Sequence, residues 1–129
     1  MTFTDEYQVI ETYPVFDPSK IEGLSVAITT EKAKVFAERY IESLKEQTAL
    51  IIKSLNDVDC SVLEFNTHKL SSGAGTFGHM YLHHVCLYIE KYAMDGEIVS
   101  PFDTKEGVDL LEKKIEQSIQ EIEVFLSNL

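Results

Sequence analysis

The chain has no tryptophan, only two cysteines and three prolines, and half as many basic as acidic residues, 11 Lys and Arg against 22 Asp and Glu. Two cysteines, Cys60 and Cys86, without a CxxC pairing exclude a disulfide framework and a cysteine zinc site. They read as two idle thiols in a reducing compartment. The basic residues, among them Lys32, Lys34, Lys45, Lys53, Lys69, Lys91 and Lys105, form no dense stripe, and the net charge is −11. Such a chain is repelled by phosphate backbones and by anionic membrane surfaces, so neither nucleic acid nor membrane is expected as a partner. Nowhere do about 18 apolar residues run together, which excludes a spanning helix. The opening residues Met1 to Glu6 lack the basic region and apolar core of a secretory signal, and a cytoplasmic location is expected.

What is present is ordinary for a folded domain: 129 residues, 44% apolar and 26% charged. That is enough for one core and not for two. The prolines Pro14, Pro18 and Pro101 lie outside the periodic stretches. Residues 1–16 show no clear period and read as an arm packed on a domain spanning 17–129. Asp17-Pro18 pairs a capping side chain with proline at a helix start, and a short helix through Ile21 and Leu24 follows. Thr29-Thr30-Glu31 opens a second helix with Ala33, Phe36, Ala37, Tyr40, Leu44, Ile51 and Leu55 on one arc. Asn56-Asp57 breaks it. Asp57 or Asp59 caps a third segment reaching Gly78, and a fourth runs to Ala93 with Leu82, Val85, Cys86, Ile89 and Ala93 as its stripe, ending at Asp95-Gly96. Asp103 or Thr104 caps the last, with Val108, Leu111, Ile115, Ile119, Ile122 and Leu126. No segment alternates as a strand does. The expected fold is all-α, an up-and-down antiparallel four-helix bundle with a short additional N-terminal helix.

The third long helix carries the chemical information. At about 100° per residue with His68 at zero, Leu63, Leu70, Ala74 and Phe77 lie at about 180–240°. They point into the core, so His68 faces solvent. Around it, Ser61 at about 20°, Ser72 at about 40°, Gly75 at about 340° and Ser71 at about 300° are small, with Glu64 near 320° and Phe65 near 60°. The run Ser71 to Thr76 contains two glycines, each disfavoured in a helix by about 1 kcal/mol relative to alanine. Small residues that served helix packing would belong on the core side; Ser71, Ser72 and Gly75 lie away from it. The face is therefore expected to be open for a large partner.

A neutral imidazole is a good nucleophile near pH 7. Phosphoryl transfer proceeds in line, so an acceptor nitrogen must stand clear of its own protein and enter the donor's active site. An exposed histidine on a rigid helix, ringed by small side chains, meets both demands.

Read as a string, His68-Lys69-Leu70-Ser71-Ser72-Gly73-Ala74-Gly75-Thr76-Phe77-Gly78, followed by Leu82, Cys86, Ile89 and Glu90, resembles the histidine-containing phosphotransfer (HPt) family. The family pattern is His, any residue, Leu, Lys, Gly, two small residues, a Gly ten positions after the histidine, then Leu-x3-Cys-x2-(Leu/Ile)-Glu. Phe16-Asp17-Pro18 with Ile21 and Leu24 resembles the family's short opening helix. The resemblance covers residues 16–129 and implies a helical bundle in which His68 takes a phosphoryl group from, or gives it to, the aspartate of a receiver domain. It implies response-regulator receivers or a hybrid sensor histidine kinase as partners, no cofactor on this chain, and Mg²⁺ in the receiver. Leu70, Gly78, Leu82, Cys86 and Ile89 are its structural positions. Lys69, Ser72, Gly73, Gly75, Phe65, Ser61 and Glu64 are the expected phosphate or partner contacts. The pattern departs at position 71, where Ser71 replaces the lysine, and at Ser72, which replaces a glycine; Lys69 is the nearest cation and a partial substitute. A receiver-binding module without transfer activity is the alternative, and no ATP site is expected.

His79 and His83 are four apart, a spacing that suits a metal, but no zincin glutamate adjoins them and no metal site is expected. His84 is expected on solvated surface and Cys86 in the core. Phe65 is unfavourable on an open face unless the arm (Phe3, Tyr7, Tyr13) or a partner covers it. The charges from Glu112 to Glu123 read as a solvated face. A monomer is expected.

Overall fold

Thr29, Asp59 and Thr104 each turn a side-chain oxygen onto a backbone N–H three residues on, at 3.1, 3.2 and 3.0 Å, and each opens a long helix. The computed structural model describes residues 3–129, and its regular elements are six helices: α1 (Asp5–Ile10), α2 (Ser19–Ala27), α3 (Thr30–Asp57), α4 (Cys60–Thr76), α5 (Met80–Ala93) and α6 (Lys105–Ser127). Helix α2 begins behind Pro18, with the Asp17 carboxylate accepting from the Ser19 backbone N–H at 3.1 Å. Helix α3 stops where Asn56-Asp57 was expected to break it, at Val58 in the left-handed conformation.

Helix α4 packs between α3 and α5, α6 packs on α3, and α2 on α3. The stripes read from the sequence meet in one core: Leu44 from α3, Leu63 from α4, Leu82 and Ile89 from α5, and Leu111 and Ile122 from α6 are all fully or almost fully buried. Each contributes about 1.5–3 kcal/mol relative to an exposed position, which is how helices that are marginal alone hold together. Two stripe positions differ from expectation. Phe36 is exposed and Ile119 is half-buried.

The expected arm carries a helix of its own. Thr4 caps α1 on the Tyr7 N–H, and Tyr7 and Ile10 sit in the core cluster. Met1 and Thr2 of that arm lie outside the described residues. Tyr7 is fully buried against Tyr81, Tyr88 and Phe102, with its hydroxyl 2.6 Å from that of Tyr81. Burial pushes the Tyr7 phenol up to about 12. Glu6 accepts from Lys91 at 3.1 Å and from the Tyr92 hydroxyl at 2.8 Å. Helix α1 thus fastens α5. No described helix is long and apolar enough to cross a membrane.

Candidate functional site

His68 occupies the outer face of α4 with its side chain 77% exposed. Its Nδ1 lies 3.0 Å from Oε1 of Glu90, one helix away on α5. A carboxylate only accepts, so in the neutral ring the proton sits on Nδ1 and the lone pair is left on Nε2, away from Glu90. The Glu90 side chain is only 16% exposed, and its second oxygen is buried without a hydrogen-bond partner among the described residues. Ser61, Glu64, Phe65, His68, Glu90 and Met94 line a groove of about 500 Å³. Phe65 is 65% exposed and Met94 62%; the Lys69 ammonium stands 6.0 Å above the Phe65 ring.

The core positions of α4 and α5 hold this pair of helices in register. Leu70, Leu82, Cys86 and Ile89 are all buried, and burial pushes the Cys86 thiol up to about 12, as befits a core filler. Gly78 turns the chain from α4 into α5 at φ +90°, and a Cβ there would collide with the Asp17 carbonyl oxygen. Only glycine fits that approach. The Gly78 carbonyl accepts from the Asp17 N–H at 2.8 Å, tying the α4–α5 turn to the start of α2.

A family model described as the Hpt domain matches residues 35–123, more than half of the chain. The chain belongs to the Hpt domain family. Among solved structures, histidine-containing phosphotransfer protein B (HptB) from Pseudomonas aeruginosa PAO1 is similar at a TM-score of 0.74 and 16% identity, over 90% of this chain and 97% of that one. At that identity the likeness shows the fold. No curated protein matches the sequence.

Within this Hpt domain the small-residue run serves a different purpose from the one expected. Ser72 is exposed and Ser61 lies at the groove, but Ser71 is only 6% exposed, Gly73 lies under the Tyr40 ring, and Gly75 lies against His83. Helix α4 touches neighbours on two sides, so its buried arc reaches position 71 and half-covers position 75, which a wheel centred on one core stripe assigns to solvent. Ser71, Gly73 and Gly75 each meet a neighbouring helix, Gly73 on the α3 side through Tyr40. The Ser71 hydroxyl donates to the His68 carbonyl at 2.9 Å, and the Ser71 carbonyl accepts from Nδ1 of His83 at 2.6 Å. A Cβ on Gly75 would lie 2.9 Å from that Nδ1. Gly75→Leu is expected to expel His83 from the α4–α5 seam and lower stability by about 1–2 kcal/mol, read by chemical denaturation. An unchanged midpoint would contradict this.

The other histidines part company. His79 is fully buried with both ring nitrogens engaged: Nε2 donates to the Ser118 carbonyl at 2.8 Å, and Nδ1 accepts from the Tyr40 hydroxyl at 2.6 Å. It has no lone pair for a metal. His83 points to Ser71 instead, so the i, i+4 pair does not converge. Among the described residues no group of three or more His, Cys, Asp or Glu is placed to hold an ion. His84, expected in solvent, stacks on Tyr13 at 3.8 Å. The arm therefore covers His84 and the far side of α5 rather than Phe65, which stays bare. Two further residues take part: Glu90, which the sequence shows only as part of the family pattern, and His83, which it shows only as half of an i, i+4 histidine pair.

Proposed function

We propose that this Hpt domain is a phosphorelay carrier that bears the phosphoryl group on Nε2 of His68, taking it from the aspartyl phosphate of a receiver domain or passing it to such an aspartate. The observation that supports this reading is the hydrogen bond from Nδ1–H to Glu90, which leaves the Nε2 lone pair facing outward from an exposed ring. Nε2 attacks phosphorus in line, the N–P bond forms, and the P–O bond to the aspartate breaks with its electron pair leaving on the carboxylate. The imidazole becomes cationic without gaining a proton, because the proton on Nδ1 stays where it was, facing the Glu90 carboxylate. Reversal needs no proton either.

Phe65, Ser61, Glu64, Lys69 and Ser72 form the rim on which the receiver would seat, and Mg²⁺ would come with that receiver or with the receiver of a hybrid kinase. The chain itself acts as carrier; the partner completes the catalytic site. The burial of position 71 favours a second reading, a receiver-binding module without transfer, because no cation projects there. Incubation with a ³²P-phosphorylated receiver domain decides between them: acid-labile label on the peptide containing His68 is the expected result. Binding with no label on His68 would leave only the module.

A further inference from the structure

The groove beside His68 has two apolar walls and two carboxylates. Phe65 on α4 and Met94, just past the end of α5, line it together with Ser61, Glu64 and Glu90. Just beyond Met94 the exposed Asp95 and Glu97 add negative charge. Of the nearby cations, Lys91 bonds both Glu6 oxygens at 3.1 Å, while the exposed Lys69 stands 6.0 Å from the Phe65 ring centre at the rim of the groove. Position 71 is closed over by the α4–α5 seam, where Ser71 bonds to the His68 carbonyl and to His83. His83 adds no donor outward, since its Nδ1 proton is held by the Ser71 carbonyl. The groove itself thus combines exposed apolar side chains with carboxylate acceptors, with Lys69 at its rim, on a chain of net charge −11.

Phosphoryl transfer places negative charge on the equatorial oxygens, and cations must meet it. A lysine or arginine has the shape this groove lacks: an alkyl stem that lies on apolar walls and a charged head that reaches carboxylates at the end. Resting on the phosphocarrier reading, we infer that the groove of Ser61, Glu64, Phe65, Glu90 and Met94 receives a basic side chain from the contact rim of the receiver domain, and that this chain selects receivers by that basic rim. The net charge works in the same direction at long range, steering basic-rimmed partners in and repelling acidic ones.

The test uses a panel of purified receiver domains that differ in the number of Lys and Arg around the phosphorylated aspartate. Receivers with basic rims are expected to label His68 fastest, with rates that fall steeply from about 0.01 M to about 1 M salt as the screening length shrinks from about 30 Å to about 3 Å. Glu64→Gln is expected to slow labelling by a basic-rimmed receiver about fivefold more than it slows labelling by a receiver without rim cations. Labelling that is salt-insensitive, indifferent to Glu64→Gln, or fastest from acidic-rimmed receivers overturns the inference. Calorimetric binding of the same receivers to the His68→Gln variant separates it from the carrier reading. Should no receiver label His68, a retained preference for basic rims upholds the groove while the carrier reading fails; equal binding of all receivers overturns the groove as well.

Discussion

Replacing His68 by glutamine is expected to abolish acid-labile phosphoryl label on this protein while moving its melting temperature by no more than about 2 °C. The ring is exposed and makes one hydrogen bond, to Glu90; substitutions of that kind usually change stability by no more than about 0.5 kcal/mol. The amide of glutamine has no lone pair that can attack phosphorus, so the chemistry goes while the fold stays. Glu90 gives the graded comparison. Glu90→Gln keeps an acceptor for Nδ1–H and removes the charge opposite the phosphoimidazolium, a partly exposed pair worth about 1 kcal/mol, or about fivefold in rate. Glu90→Ala also frees the proton to move to Nε2, and is expected to slow transfer further. Equal labelling of wild type and His68→Gln would end the assignment of His68 as the acceptor. Equal rates for all three residues at position 90 would end the tautomer argument.

The parts of this molecule that depend on near neighbours were legible in its sequence. The caps at Thr29, Asp59 and Thr104 obey rules that span three residues, and the stripes of α5 and α6 repeat often enough to locate a core. His68 read as exposed because the core positions of α4 lie opposite it. Helix α1 did not show, because six residues are fewer than two turns and carry no measurable period. Ser71 is buried where the wheel puts it in solvent, because a helical wheel knows one core direction while α4 is pressed on two sides. The bonds His68 to Glu90, Ser71 to His83 and Tyr40 to His79 join residues 22, 12 and 39 positions apart, and each depends on how far one helix has slid along another. Periodicity contains no information on that register. The family pattern supplied part of it for Glu90, as a spacing without a partner.

His79 sets the pH range over which the site exists. Burial lowers its pKa from the ordinary 6.5 to about 4, against a smaller raising effect of its bond to the Ser118 carbonyl. The folded protein therefore holds a neutral His79 at pH values where the unfolded chain is already protonated. Stability from this group is complete above about pH 6.5, falls as the pH drops, and is lost below about pH 4, a total of about 3 kcal/mol at 1.36 kcal/mol per unit. Glu6 and Asp17, whose carboxyls are held below their ordinary values by Tyr92 with Lys91 and by Ser19, add acid sensitivity, but only near and below their own ordinary range. The interval from about pH 6.5 to about pH 4.5 is where His79 is read with least interference, and the difference between wild type and a variant isolates it. His79→Ala is expected to cost about 3 kcal/mol at pH 7.5, since it strands the buried Tyr40 hydroxyl and empties a packed position beside Phe16. It is also expected to flatten the unfolding free energy between pH 6.5 and 4.5, measured by urea denaturation at each pH. The imidazole joins α3, the turn into α5, and α6, so loosening it frees the helix that carries Glu90 and His83. Transfer at His68 should then fail on acidification together with the fold, and a His79→Ala protein with wild-type stability and an unchanged acid slope would show that the buried ring bears none of this load.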